Sequence, residues 1–173
     1  MERIAVIGCS GNGKSTFATR LGDRLDIPVI HLDARYWQPG WVQMPRPQWR
    51  ELQYELVAGD RWIIDGNYGA TLDIRLAAAD TVVLFDLPAR VCLLGVVRRW
   101  ARNRGVAVQA PGCPERWSWE LLRWVWRWRR DSRPRALDAI GSHAQHARVV
   151  VVSTRADADA LIARSTDPAL RTK

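Results

Sequence analysis

The stretch GCSGNGKS, residues 8–15, constrains this chain more than any other. It fits the pattern G-x-x-x-x-G-K-[ST] in full, with Thr16 next, and it stands between an apolar run, RIAVIG, and a segment with helical spacing. That order suits a bound phosphate. Glycines at 8, 11 and 13 permit the backbone angles that bring successive N–H groups round an anion, and the helix adds its positive N-terminal end. Lys14 supplies a mobile ammonium for the outer phosphates, and the Ser15 hydroxyl can ligate Mg²⁺. Gly8, Ser10, Gly11, Asn12, Gly13, Lys14, Ser15 and Thr16 are therefore candidate nucleotide-binding residues, with ATP and Mg²⁺ the expected cofactors. Lys14 is one of two lysines beside 24 arginines, so its presence here suggests that a compact point charge is needed. The competing reading is a chance glycine-rich turn between strand and helix.

The rest of the chain repeats the alternation. Apolar runs at 28–32, 62–65, 81–88 and 147–153 have the length and continuity of buried strands. Helical spacing marks 14–25, 48–58, 89–104, 115–130, 134–141 and 156–164. The segment RYWQPGWVQMPRP, 35–47, is aromatic and proline-rich and is expected to be an irregular excursion. Strands alternating with helices predict an α/β fold with a five-stranded parallel sheet covered on both faces. No internal repeat or linker divides the 173 residues, which fits one domain, and the tail after Ser165 is expected to fray.

Ligands of open parallel sheets sit at the carboxyl edge of the strands, so residues that end strands deserve scrutiny. WIID ends in Asp65, a candidate Mg²⁺ residue, direct or through water; the alternative is a strand-end turn aspartate. VIHLD ends in Asp33, which can accept or orient an acceptor hydroxyl in phosphoryl transfer, or merely cap a helix. His31, inside an apolar strand, is expected to be a satisfied core histidine. Tyr36, Trp37 and Trp41 follow Asp33, and Asn67 and Tyr68 follow Asp65. They suit either an aromatic wall for a ring-shaped acceptor or the anchoring of a proline-bent loop. Arg75 is a candidate phosphate or carboxylate clamp or a plain surface residue.

Charge is uneven. Residues 1–87 carry nine basic and eleven acidic side chains, a net −2, whereas 88–173 carry seventeen basic and seven acidic, a net +10. An anionic partner for the second half is one explanation, and the arginine bias of a GC-rich genome is another. RWSWELLRWVWRWRR, 116–130, holds five tryptophans and five arginines. On a helical wheel Trp117, Leu121, Trp124, Val125 and Trp128 share one face, and Trp119, Leu122 and Trp126 form a second flank. Arg116, Arg123, Arg127 and Arg130 lie between them. Two apolar flanks fit a helix wedged between protein layers with arginines facing a cleft, rather than a membrane-surface helix. No apolar run is long enough to span a bilayer, no signal peptide is apparent, and three cysteines without a CxxC pair argue against a disulfide framework or structural zinc site. A cytoplasmic location is expected.

Together, GCSGNGKST, HLDARYWQPGW, WIIDGNY and GCPERWSWELLRWVW resemble the bacterial DNA topology modulation protein family, an adenylate-kinase-like branch of the P-loop NTPases. The resemblance spans roughly residues 3–152. It implies a three-layer, nucleoside- or nucleotide-kinase-like fold, with an acceptor-binding segment at about 34–60 and a lid at about 99–133. It further implies that Gly8 to Thr16 hold ATP phosphates, that Asp65 holds Mg²⁺ through water, and that Arg99, Arg127 and Arg133 are lid arginines. The turn GNYGATLDIR lacks the proline-arginine acceptor site of adenylate kinases, and the lone Cys113 cannot build a four-cysteine zinc lid. The expected activity is phosphoryl transfer to a small acceptor such as a nucleoside or nucleotide. A nucleic-acid-binding ATPase or regulator is the second reading, and an acceptor-free nucleotide switch the third.

Overall fold

The computed structural model describes residues 1–165, so the expectation for the tail lies outside the described residues. Five strands form one parallel sheet: β1 (Arg3–Gly8), β2 (Val29–His31), β5 (Trp62–Asp65), β6 (Thr81–Phe85) and β7 (Arg148–Val152). Their spatial order is β2-β5-β1-β6-β7. The order explains the burial. β5 and β6 flank the central β1, and all three are buried along almost their whole length. β7 is an edge strand, so Val149 and Val151 stay exposed even though its sequence is as apolar as that of the central strands.

Helices cover the sheet: α1 (Lys14–Leu25), α3 (Arg46–Val57), α4 (Leu72–Ala78), α5 (Ala89–Asn103), α6 (Trp119–Asp131), α7 (Arg133–His143) and α8 (Arg155–Arg164). Local chemistry sets several of their ends. Pro88 precedes α5, and the Ser118 hydroxyl accepts the Leu121 N–H at 3.1 Å to start α6. A capping box between Thr154 and Asp157 starts α8. Helix α4 has no counterpart in the sequence reading, because two turns are too short for a periodic signal to stand out. The segment read as irregular is ordered. Asp33–Tyr36 forms a single helical turn, α2, and a two-stranded antiparallel hairpin follows, β3 (Trp37–Gln38) and β4 (Val42–Gln43). Gly40 and Trp41, at φ of 79° and 65°, make its turn.

Expectations for the 116–130 segment need two corrections. Helix α6 begins at Trp119, and Glu115 lies before it in a loop. The helix packs beside α5 and α7, and its Val125 carbonyl lies 3.9 Å from the Cys9 sulfur, behind the phosphate loop and not across the cleft. Only one side of it is therefore covered. Val125 and Trp128 are buried and Leu121 and Leu122 partly so, whereas Trp119 is 75% exposed and Trp126 65%. The second apolar flank expected from the wheel thus splits, with Leu122 against the core and both tryptophans facing solvent.

Candidate active site

The phosphate loop joins β1 to α1, and close backbone contact holds it in place. Gly11 lies directly on the Cys92 carbonyl and Val96, and a Cβ on Gly95 of α5 would fall on the Gly11 carbonyl. Glycine is required on both sides of this approach. Gly13, at φ 93°, ends the loop, and Asn12, 2% exposed, accepts the Lys14 N–H through Oδ1 at 3.1 Å. Above the loop is a cavity of about 390 Å³ lined by Gly11 to Thr16, Asp33, Gly95, Arg98, Arg99, Arg102, Asn103, Gln109 and Arg155. Five cationic side chains and a single carboxylate face one space. This is the charge pattern that a polyphosphate needs.

The structure brings Lys14, Asp33 and Arg99 to this cavity together with the loop residues. Arg99 is part of a bracket: its Nε lies 2.9 Å from Glu115, whose other neighbour, Gln109, donates to the same oxygen at 2.6 Å. Arg127 and Arg133 are not brought there. Arg127 pairs with Asp131 one turn along α6, at 2.8 Å. Arg133 and Arg129 hold Asp86, a 93% buried carboxylate just past the end of β6, at 2.8 and 3.4 Å. The cationic positions that sequence reasoning passed over are Arg98, Arg102 and Arg155. Arg98 and Arg102 are one turn apart on α5, and Arg155 opens α8 directly past β7; the rule that ligands sit at the carboxyl edge could have located the last of these.

On the opposite wall, Asp33 opens α2 and accepts the Tyr68 hydroxyl at 2.6 Å. Burial, and then the Asp33 charge, push the Tyr68 pKa up, so the phenol remains a donor. Tyr36, Trp49 and Tyr68 meet with ring centroids 4.7–4.9 Å apart, Trp37 stacks on Tyr36 at 5.1 Å, and Trp41 on Trp37 at 5.4 Å. These rings pack on one another and do not line the cavity, which favours the anchoring reading over the wall. Asn67 lies beside them with a buried Oδ1 that has no partner. Arg75 is neither a clamp at the cavity nor a surface residue. It is fully buried, donating to Gln53 Oε1 at 2.6 Å and to the Gly66 carbonyl at 3.2 Å. Its pKa falls to about 10 through desolvation, which leaves the guanidinium charged at neutral pH.

Asp65 is 4% exposed beneath the loop. Burial alone would raise its pKa, but the Lys14 charge and the His31 and Ser15 donors outweigh it and leave the group below the usual carboxylate range. Its Oδ2 lies 3.0 Å from His31 Nδ1, while Oδ1 is buried without a partner. A buried, ionised oxygen without a donor fits a hard divalent cation or its bound water. His31 is therefore not an inert core histidine: its side chain is 37% exposed and engages the carboxylate.

These features can be set beside known proteins. Shikimate kinase from Acinetobacter baumannii in complex with shikimate superposes with a TM-score of 0.61 at 17% identity, covering all of this chain and 95% of that one. A gluconokinase from Sinorhizobium meliloti 1021 gives 0.54 at 14% identity, with 99% and 98% covered. Its fold is that of the P-loop kinases. Shikimate kinase from Bacteroides thetaiotaomicron gives 0.55 at 16% identity over 96% and 97%. In sequence, the chain is 27% identical over 126 residues to the uncharacterized protein YqaC of Bacillus subtilis (strain 168), 72% of this chain and 71% of that protein. No family model matches the chain. No helix among the described residues is long and apolar enough to cross a membrane.

Proposed function

We propose that the protein transfers the γ-phosphoryl group of ATP to a small acceptor, a nucleoside, nucleotide or similar metabolite. The observation that carries this reading is the position of Asp33: among the described residues the only carboxylate lining a cavity otherwise walled by the glycine-rich loop, arginines and uncharged polar groups, with one oxygen held by Tyr68. Phosphoryl transfer needs such a group to orient the attacking hydroxyl, and the acceptor dependence of ADP release separates a bound acceptor from water. The solved structures of similar fold, shikimate kinase and gluconokinase by name, support a small-molecule acceptor.

In this mechanism the loop N–H groups and Lys14 hold the phosphates, and Arg98, Arg99 and Arg102 meet the charge that spreads over the transferring group. Asp33 accepts the acceptor hydroxyl's proton, or orients that hydroxyl, through the oxygen that Tyr68 leaves free. Mg²⁺ held by Ser15 and Asp65 would neutralise the phosphate oxygens. ADP release in the presence of a panel of nucleosides, nucleotides and sugars tests the reading. ADP formation that depends on one acceptor and is lost in Lys14→Ala and Asp33→Asn is expected; hydrolysis indifferent to every acceptor overturns it.

Exposure of Trp119 and Trp126 favours one further reading, a grip on single-stranded nucleic acid by α6. Arg123 and Arg130 alternate with them at helical spacing on the same exposed side. Base stacking on an exposed tryptophan contributes about 1–3 kcal/mol. Absence of a mobility shift at about 50 mM salt removes this reading, because phosphate contacts are strongest there.

A further inference from the structure

We infer that His31 is a positioning residue for the cation that accompanies the nucleotide, acting through Asp65. The inference rests on the phosphate-loop reading of the site but not on the identity of the acceptor.

Three observations converge. First, His31 Nδ1 lies 3.0 Å from Asp65 Oδ2. A carboxylate only accepts, so in this contact the imidazole donates through Nδ1–H. Second, the far side of the ring is also engaged. Nε2 lies 3.4 Å from the Thr19 hydroxyl; that hydroxyl gives its one proton to the Ser15 carbonyl at 3.1 Å, so Nε2 bonds it only as an N–H donor, in the imidazolium form. The ring is thus fixed between the strand-end carboxylate and the first turn of α1, the turn that carries Lys14 and Ser15. Third, Asp65 Oδ1 is buried and has no partner. His31 occupies one carboxylate oxygen and thereby fixes the plane of the group. The other oxygen, Oδ1, is left buried and without a partner.

Strand register explains why this residue can do so. His31 pairs with Asp65 across β2 and β5, so both side chains reach the carboxyl edge at one level. Asp33, two residues on, is spent on Tyr68 and faces the cavity instead. The HLD sequence therefore divides its work: His31 serves the cation side of the site and Asp33 the acceptor side. Outer partners of a metal-binding group typically set affinity by 10- to 100-fold.

The test measures binding, not turnover. Affinity for ADP is followed by titration calorimetry at graded Mg²⁺ and without Mg²⁺, in the unaltered protein, His31→Leu, His31→Asn and His31→Gln. Asparagine keeps an N–H donor near the place of Nδ1; glutamine places its donor near that of Nε2. Expected is a rise of about 10-fold or more in the Mg²⁺ needed for half-maximal effect in His31→Leu and His31→Gln. Affinity for Mg²⁺-free ADP should be unchanged, and His31→Asn should restore the Mg²⁺ dependence. If His31→Leu does not fold, the contrast between asparagine and glutamine carries the result. Equal Mg²⁺ dependence in all four proteins overturns the inference, as does a parallel loss of Mg²⁺-free binding in all three variants, which marks a purely structural role. If the unaltered protein binds no ADP, the phosphate-loop reading itself falls and this inference with it; failure to find an acceptor leaves the calorimetric result intact.

Discussion

At the scale of single residues, the site works by assigning each polar atom one partner and leaving a few free. Tyr68 is the clearest instance. Its hydroxyl donates to Asp33 at 2.6 Å, and a bond to a charged group is worth about 1.5–3 kcal/mol. Tyr68→Phe is therefore expected to lower kcat by about 10- to 100-fold, measured by acceptor-dependent ADP release, and to lower the melting temperature by several degrees as well. The His31–Asp65 pair makes a prediction about pH. Hydrogen bonding to Asp65, offset in part by burial, raises the His31 pKa, and the Asp65 pKa is lowered. A raised histidine stabilises the fold fully below its unfolded pKa of about 6.5 and loses this contribution as pH rises through its folded value. A lowered aspartate contributes above about 3.9 and is lost toward acid. The difference in melting temperature between the unaltered protein and His31→Leu should thus be widest between about pH 4 and 6.5 and shrink toward alkaline pH. A difference that grows with rising pH contradicts the pairing. The carboxylates could be nominated from strand ends in the sequence, but the partners that orient them could not. His31 and Tyr68 reach Asp65 and Asp33 across the β2–β5 register, 34 and 35 residues away in the chain.

At the scale of elements, α5 and α6 divide the work differently from what their sequences suggest. Helix α5 carries the cavity arginines because Gly95 lets its backbone touch the phosphate loop. Gly95→Ala tests this: alanine is the better helix former by about 1 kcal/mol, yet its methyl group would fall on the Gly11 carbonyl. Nucleotide affinity is expected to drop about 10-fold or more, by calorimetry, despite the gain in helix propensity. Helix α6 shows why identical residue types cannot be ranked from a wheel. Trp128→Ala, at 1% exposure, should cost about 3–5 kcal/mol in denaturant unfolding, and Trp126→Ala, at 65%, less than about 0.5 kcal/mol. The wheel gives relative directions round a helix. Which of two apolar flanks meets a neighbour depends on how many neighbours pack there, and α6 lies against α5 and α7 on one side only.

At the scale of the whole molecule, the β3–β4 hairpin and the loop 104–118 meet. The Gly40 N–H donates to the Gly112 carbonyl at 2.9 Å, Trp41 Nε1 donates to the Pro114 carbonyl at 3.0 Å, and Arg116 lies over the Trp41 ring at 5.8 Å. Glu115 of the same loop holds Arg99 in the cavity. This strap links the hairpin to a cavity arginine, and if the site transfers phosphoryl groups as proposed, its enclosure keeps water from competing with the acceptor. Trp41→Ala should raise ADP release without acceptor relative to transfer, measured on one preparation with and without the acceptor. The sequence by itself determined the parallel α/β sheet, the glycine-rich loop between β1 and α1, and Asp65 at the end of β5, since these follow from local apolar runs and glycine positions; Asp33, read as a strand end, instead opens α2, because β2 stops at His31. Only the tertiary structure decided which arginines line the cavity, that Arg75 is interior, that Trp119 and Trp126 face solvent, and that the hairpin meets the loop. Each of these depends on which distant elements pack together, and a helix or strand read alone carries no record of its neighbours.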